Sequence, residues 1–229
     1  MVNVREEAEI TAREFRPIIA TYLRNVRPPF DDSDCTHLAN MYRALGLADG
    51  ILSESPVPMV AAFTESIRYW SIRPTQLCVV EAVQLLEMIV LTGNREFYRQ
   101  ALERILPTPP GWGQDEKEHH IASLLLLLMG GSGETESHRA YLQSVTGEYA
   151  GYGQMLVGLL DGDAAAVAAG AATYLKWFQR AATKGVLKDL LGDNLAATPV
   201  LCCLRLARER GLAVSLQVES PYLLPALIG

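Results

Sequence analysis

The residues most able to do chemistry gather in GWGQDEKEHHIASLLLLLMGG, Gly111 to Gly131, where Asp115, Glu116 and Glu118 precede a histidine pair. His119 and His120 are adjacent, so on a helix they point about 100° apart and cannot grip one ion together. Glu116 and His120 are four apart and share a helical face, and His138 could complete a metal-binding set in a helical enzyme. Neither HExxH nor the reversed HxxEH occurs. The plainer reading of the acids is a solvated first turn, favoured by the positive end of the helix. No metal or other cofactor is expected.

Nucleophilic chemistry has no better footing. GGSGE departs from GxSxG at its last position, and Ser132 falls in a glycine turn rather than after a strand. It reads as a connector that caps the following helix. No GxGxxG or GxxxxGK[ST] phosphate loop occurs, and GEYAGYG has glycines without a strand or a lysine. Cys202 and Cys203 follow Pro199 inside an apolar run, where core packing is the expected role. With Cys35 and Cys78 they make four cysteines and no CxxC, as expected of reduced thiols in a cytoplasmic protein. The expectation is a protein that is not an enzyme.

The 229 residues suffice for a large core, and a hydrophobic share of 49% is that of a globular protein. A net charge of −6 argues against direct nucleic-acid binding, which needs a basic face for phosphates. MVNVREEAEITAREF places charges where the apolar region of a signal peptide would lie. The apolar run Ile121 to Met129 is well short of the ~20 residues that span a bilayer, and glycines end it. Being apolar all round, it predicts a central buried helix.

The elements that must position these residues read as helices throughout. Ala8, Ala12, Phe15, Ile19, Tyr22 and Val26 form one helical face, with a kink or break expected near Arg16 because of Pro17. Asp32 or Ser33 can cap a helix through Leu47, Pro56 and Pro58 open the next, and Pro74 is placed to begin another. Gly93 and Gly162 read as left-handed stops, with Asn94 and Asp163 as the caps that follow. A last long helix ends at Gly211, with Arg208 and Arg210 in its final turn. Val214, Leu216 and Val218 alternate without a partner strand, giving a short extended tail before a closing helix from Ser220-Pro221. The whole predicts an all-α fold of about ten helices, stacked as antiparallel hairpins in one domain over residues 1–229.

With catalysis unsupported, surfaces remain. Trp112 stands among prolines and glycines beside an acidic run, as an exposed anchor for a partner or as a cover for helix ends. Trp112, Asp115, Glu116 and Glu118, then Glu134 and Glu136, are the expected partner-binding residues. They form one electronegative side if the helix starts share an edge.

Two stretches carry a resemblance. LLDGDAAAVAAGAATYLKWFQRAA resembles the Ala-rich helical pair, opened by a Gly-Asp turn, of the immunity protein 49 family of bacterial polymorphic toxin systems. LAATPVLCCLRLARERGLAVSLQVESPYLLPALI resembles the ending of that family: an apolar helix, Leu-Ala-Arg, Arg-Gly, an alternating segment and Ser-Pro-Tyr-Leu-x-Pro. The likeness is clearest from about Tyr149 to Leu227, with a looser match of helix order upstream. The resemblance implies an all-α protein that binds and silences a cognate toxin, often a nuclease, in the cytoplasm. An acidic inhibitor suits the basic cleft of a nuclease, to which it would be steered electrostatically. The alternative is a helical-repeat adaptor or regulator unrelated to toxins, which a concave groove for an extended peptide would favour.

Overall fold

The computed structural model describes residues 3–105, 116–187 and 194–224. Among them are ten α-helices and no strand, the all-α architecture that the periodicity predicts. Helices α1 (Val4–Asn25), α2 (Asp32–Ser53) and α3 (Pro56–Ile72) come first, with α2 packed along both neighbours. Helix α4 (Val79–Thr92) is a hub that touches α3, α5 (Arg95–Ile105), α6 (Glu116–Leu128) and α10 (Thr198–Glu209). Helices α6, α7 (Glu136–Ser144), α8 (Ala150–Asp161) and α9 (Ala164–Thr183) each pack on the next, and α10 closes onto α4, α8 and α9. One apolar cluster runs through all of this, from Val4 to Tyr222. No helix among the described residues is long and apolar enough to cross a membrane.

Local chemistry explains most of the boundaries. Gly162 takes a left-handed conformation, and the Asp163 carboxylate accepts the N–H groups of Ala165 and Ala166 at 2.9 and 3.0 Å. Gly93 ends α4 in the same way, and Asn94 accepts the Glu96 N–H at 3.2 Å. Helix α6 is the buried central helix expected, with Ile121, Ala122, Leu124, Leu125, Leu126 and Leu128 all inside. The Arg210 guanidinium reaches across from the end of α10 and donates to the Leu128 carbonyl at 3.0 Å, satisfying an acceptor left over at the end of α6.

Several boundaries differ from expectation. Helix α1 continues through Pro17 without a break, because Ala12 and Ile19, on either side of it, are both held in the core. Asp31, not Asp32 or Ser33, caps α2, in a reciprocal pair with Asp34. That helix runs on past Leu47 to Ser53 because Gly46 is used for contact: a Cβ there would lie 2.9 Å from the Phe63 ring. Pro74 sits in a connector, and α4 starts at Val79 with the Glu81 carboxylate accepting the Cys78 N–H at 2.8 Å. The connector is held instead by Asp32, which accepts the Thr75 N–H at 2.9 Å and lies 3.5 Å from Arg73. Glu134 rather than Ser132 serves the start of α7, accepting the Ser137 N–H at 2.9 Å. After α10 the chain is extended over residues 212–220, with Leu212, Val214, Leu216 and Val218 half-buried and the residues between them exposed. Ser220-Pro221 then makes a turn, closed by the Leu223 N–H on the Ser220 carbonyl at 3.1 Å, so the expected closing helix does not start there, and the rest of its span, 225–229, lies outside the described residues.

Candidate functional site

Of the six residues expected to meet a partner, the structure describes the side chains of three, Glu118, Glu134 and Glu136. Trp112 and Asp115 lie outside the described residues, and Glu116 opens α6 with its side chain outside them. Glu134 and Glu136 are exposed at the start of α7. Glu118 turns inward and is only 7% exposed, which removes it from any solvent-facing acidic set. Its neighbours there define a pocket that the linear sequence does not display.

The pocket is assembled from two amphipathic stripes. Val80, Val83, Gln84 and Glu87 fall at i, i+3, i+4 and i+7 on α4, and Tyr174, Trp177 and Phe178 at i, i+3 and i+4 on α9, so each set shares a helical face. Helix α9 sits this close because α8 and α9 meet through glycines. A Cβ at Gly151 would lie 2.6 Å from the Gly170 carbonyl oxygen, and one at Gly158 2.9 Å from the Val167 nitrogen. Tyr152 on α8 is thereby brought against Tyr174, ring centroids 6.1 Å apart, with the Trp177 ring tilted beyond it at 5.4 Å from Tyr174.

The floor is polar. Arg43 from α2, Glu87 from α4 and Glu118 from α6 are 4%, 3% and 7% exposed, and all three line the same space. The Tyr152 hydroxyl donates to Glu87 Oε1 at 2.8 Å. Burial, and then the charge of Glu87, push the Tyr152 phenol well above its ordinary range, so it stays protonated and remains a donor. Glu118 Oε2 is buried without a hydrogen-bond partner. Among the described residues the floor thus holds two carboxylates and one guanidinium.

The rim is aromatic and open. Tyr149, Trp177 and Gln84 are half-buried and Val80 is 41% exposed, so the space opens to solvent past them. Outside the mouth the Lys117 ammonium lies 5.3 Å from the centre of the Tyr149 ring, a cation already seated on one of these faces. The cavity holds about 210 Å³, below the roughly 300–1,000 Å³ of a typical small-molecule site. Its size suits a single side chain.

Two other features bear on function. His120 and His138, expected as possible co-ligands, do come together: their Nδ1 atoms are 2.7 Å apart, and the His120 ring stacks on Tyr141 at 4.0 Å. His119 stands 5.6 Å from His138, ring to ring. No group of three or more histidine, cysteine or acidic side chains among the described residues has a metal-binding arrangement. An apolar trough of about 810 Å³ also runs between α10 and the extended tail, lined by Leu204, Leu212, Val214, Leu216 and Val218.

Arg43, Glu87, Tyr149 and Trp177 were not among the residues singled out from the sequence. Glu87 interrupts an otherwise apolar face in VVEAVQLLEMIVLT, and Tyr174, Trp177 and Phe178 make an aromatic stripe. Those two irregularities are the traces of the pocket that the sequence carries. No family model, curated protein or solved structure matches this chain.

Proposed function

We propose that this chain is an immunity protein, a non-enzymatic inhibitor that binds a cognate toxin effector of nuclease type and blocks its active site or substrate path. The observation that carries the reading is the pocket: an aromatic rim, open to solvent, over a buried floor where one oxygen of Glu118 has no hydrogen-bond partner. Half-buried aromatic residues around a desolvated polar centre are the usual makings of a binding hot spot. The segment from Tyr149 onward, which resembles the immunity family, supplies Tyr149, Tyr152, Tyr174, Trp177 and Phe178 to that pocket. An excess of acidic residues would steer the chain toward a basic nuclease cleft.

The test is co-expression with the toxin domain encoded beside it. Restored growth, together with a stoichiometric complex of the purified proteins, supports the reading. Continued killing with both proteins soluble overturns it. The trough beside the extended tail favours a second reading, an adaptor for an extended apolar peptide. A partner that is displaced by such a peptide and has no toxicity would select it.

A further inference from the structure

We propose that the pocket receives one basic side chain, lysine or arginine, projecting from the bound partner. The inference rests on reading the chain as a partner-binding inhibitor, and leaves the partner's own chemistry open. Glu118 lines the cavity and is 7% exposed, and its Oε2 has no hydrogen-bond partner. A buried carboxylate oxygen without a donor is costly in the free protein. A donor that arrives with the partner relieves that cost, and a charged one relieves it most. The floor selects the sign: among the described residues Glu87 and Glu118 outnumber Arg43, so an entering carboxylate or phosphate meets net repulsion from them.

The walls select the shape. Lysine and arginine have apolar stems and charged tips, and Val80 with the Trp177 ring offers the stem an apolar passage above the carboxylates. Trp177 and Tyr149 are half-buried members of the lining, and the Tyr149 ring already carries the Lys117 ammonium at 5.3 Å. A cavity of about 210 Å³ admits one such side chain and has no room for a nucleotide-sized ligand.

The test uses the full chain labelled at its tryptophan indoles and three probes: the N-acetyl methylamides of lysine, arginine and norleucine. The Trp177 resonance is identified by its loss in Trp177→Phe. The expected result is a saturable shift of that resonance with both basic probes, with Kd on the order of 1 mM for ligands of this size. Norleucine, which matches lysine without its charge, should leave the resonance in place. Glu118→Gln should weaken the basic probes at least about tenfold, and Tyr149→Leu, at the half-buried rim, should weaken them as well. No shift with the basic probes, an equal shift with norleucine, or undiminished binding in both variants overturns the proposal. Growth rescue separates the two levels. Rescue without probe binding removes the basic side chain and keeps the inhibitor; probe binding without rescue does the reverse.

Discussion

Tyr152 and Glu87, 65 residues apart, share a fully buried hydrogen bond of 2.8 Å that ties α8 to α4 beneath the pocket. A phenol bonded to a carboxylate inside a helical protein is both a structural tie and a constraint on where the negative charge points. Tyr152→Phe keeps the ring and removes the donor. It should destabilise the fold by about 1–3 kcal/mol, the range for depriving a buried polar group of its partner. Urea unfolding checks this: the midpoint should fall while the slope holds, since the surface exposed on unfolding hardly changes.

The glycine contact between α8 and α9 makes a prediction with a reversed sign. In a helix interior, glycine to alanine ordinarily gains up to about 1 kcal/mol. At Gly170 the new Cβ would lie 2.7 Å from the Gly151 carbonyl oxygen and 2.8 Å from the Met155 nitrogen, both backbone atoms that cannot swing aside. Gly170→Ala should therefore destabilise by about 1–3 kcal/mol, as overpacking does. It should also disturb the Trp177 indole resonance, because the same contact sets the distance between α9 and the pocket.

These two sites show what can be read from sequence and what cannot. The turn at Gly162-Asp163 and the burial of α6 were legible because a left-handed glycine, a capping aspartate and an all-apolar run act locally. The pocket was not, since its floor comes from α2, α4 and α6 and exists only after those helices pack. Glu118 is buried where a solvated first turn was expected, and the reason is physical. Acids in a first helical turn normally face water and the helix dipole, but this one points toward α4 and α9. Pro17 misled in the opposite sense: its local cost is real, and core contacts on both sides of it override that cost.

The histidine pair predicts a dependence on pH. Burial first, then the charge of His119, hold His138 below the ordinary imidazole value of 6.5, while Glu134 pulls weakly the other way. The native state therefore binds fewer protons than the unfolded chain once the pH falls below about 6.5. The stability contributed by neutral His138 is fully present above that value. It is lost as the pH falls from there toward the lower folded-state value, and the loss then levels off. The Nδ1 atoms of His120 and His138, 2.7 Å apart, reinforce the sign, because that contact needs one of the two without a proton. Urea midpoints measured between about pH 7.5 and 5 should decline for the native chain and flatten in His138→Gln.

Surface charge should govern the encounter with the partner more than the lifetime of the complex. Glu134 and Glu136 are the two exposed members of the expected acidic set whose side chains are described. Reversing both to lysine should slow association with a basic toxin domain by roughly threefold to tenfold at low salt and flatten its salt dependence, with dissociation little changed. Stopped-flow association at two ionic strengths is the check. A changed dissociation rate with unchanged association would move these residues into the desolvated centre of the interface.

Glu118 should show stability and function pulling apart. Its buried Oε2 lacks a donor in the free chain, and a neutral amide in place of the carboxylate lowers the cost of burying that oxygen. Glu118→Gln should raise the stability of the unliganded protein by about 1 kcal/mol, the lower part of the cost of an unsatisfied buried group. The same change should weaken toxin binding, because the amide offers no countercharge to an entering ammonium or guanidinium. A residue kept only for packing would behave differently: substitution would lower stability, and binding would fall only as far as folding did. Denaturant midpoints and complex dissociation constants, measured on the same preparations, should therefore both rise at this one position, whereas at Tyr152 any rise in the dissociation constant should accompany a lower midpoint. That contrast separates a carboxylate held in readiness for a partner from a tyrosine that holds the helices in place.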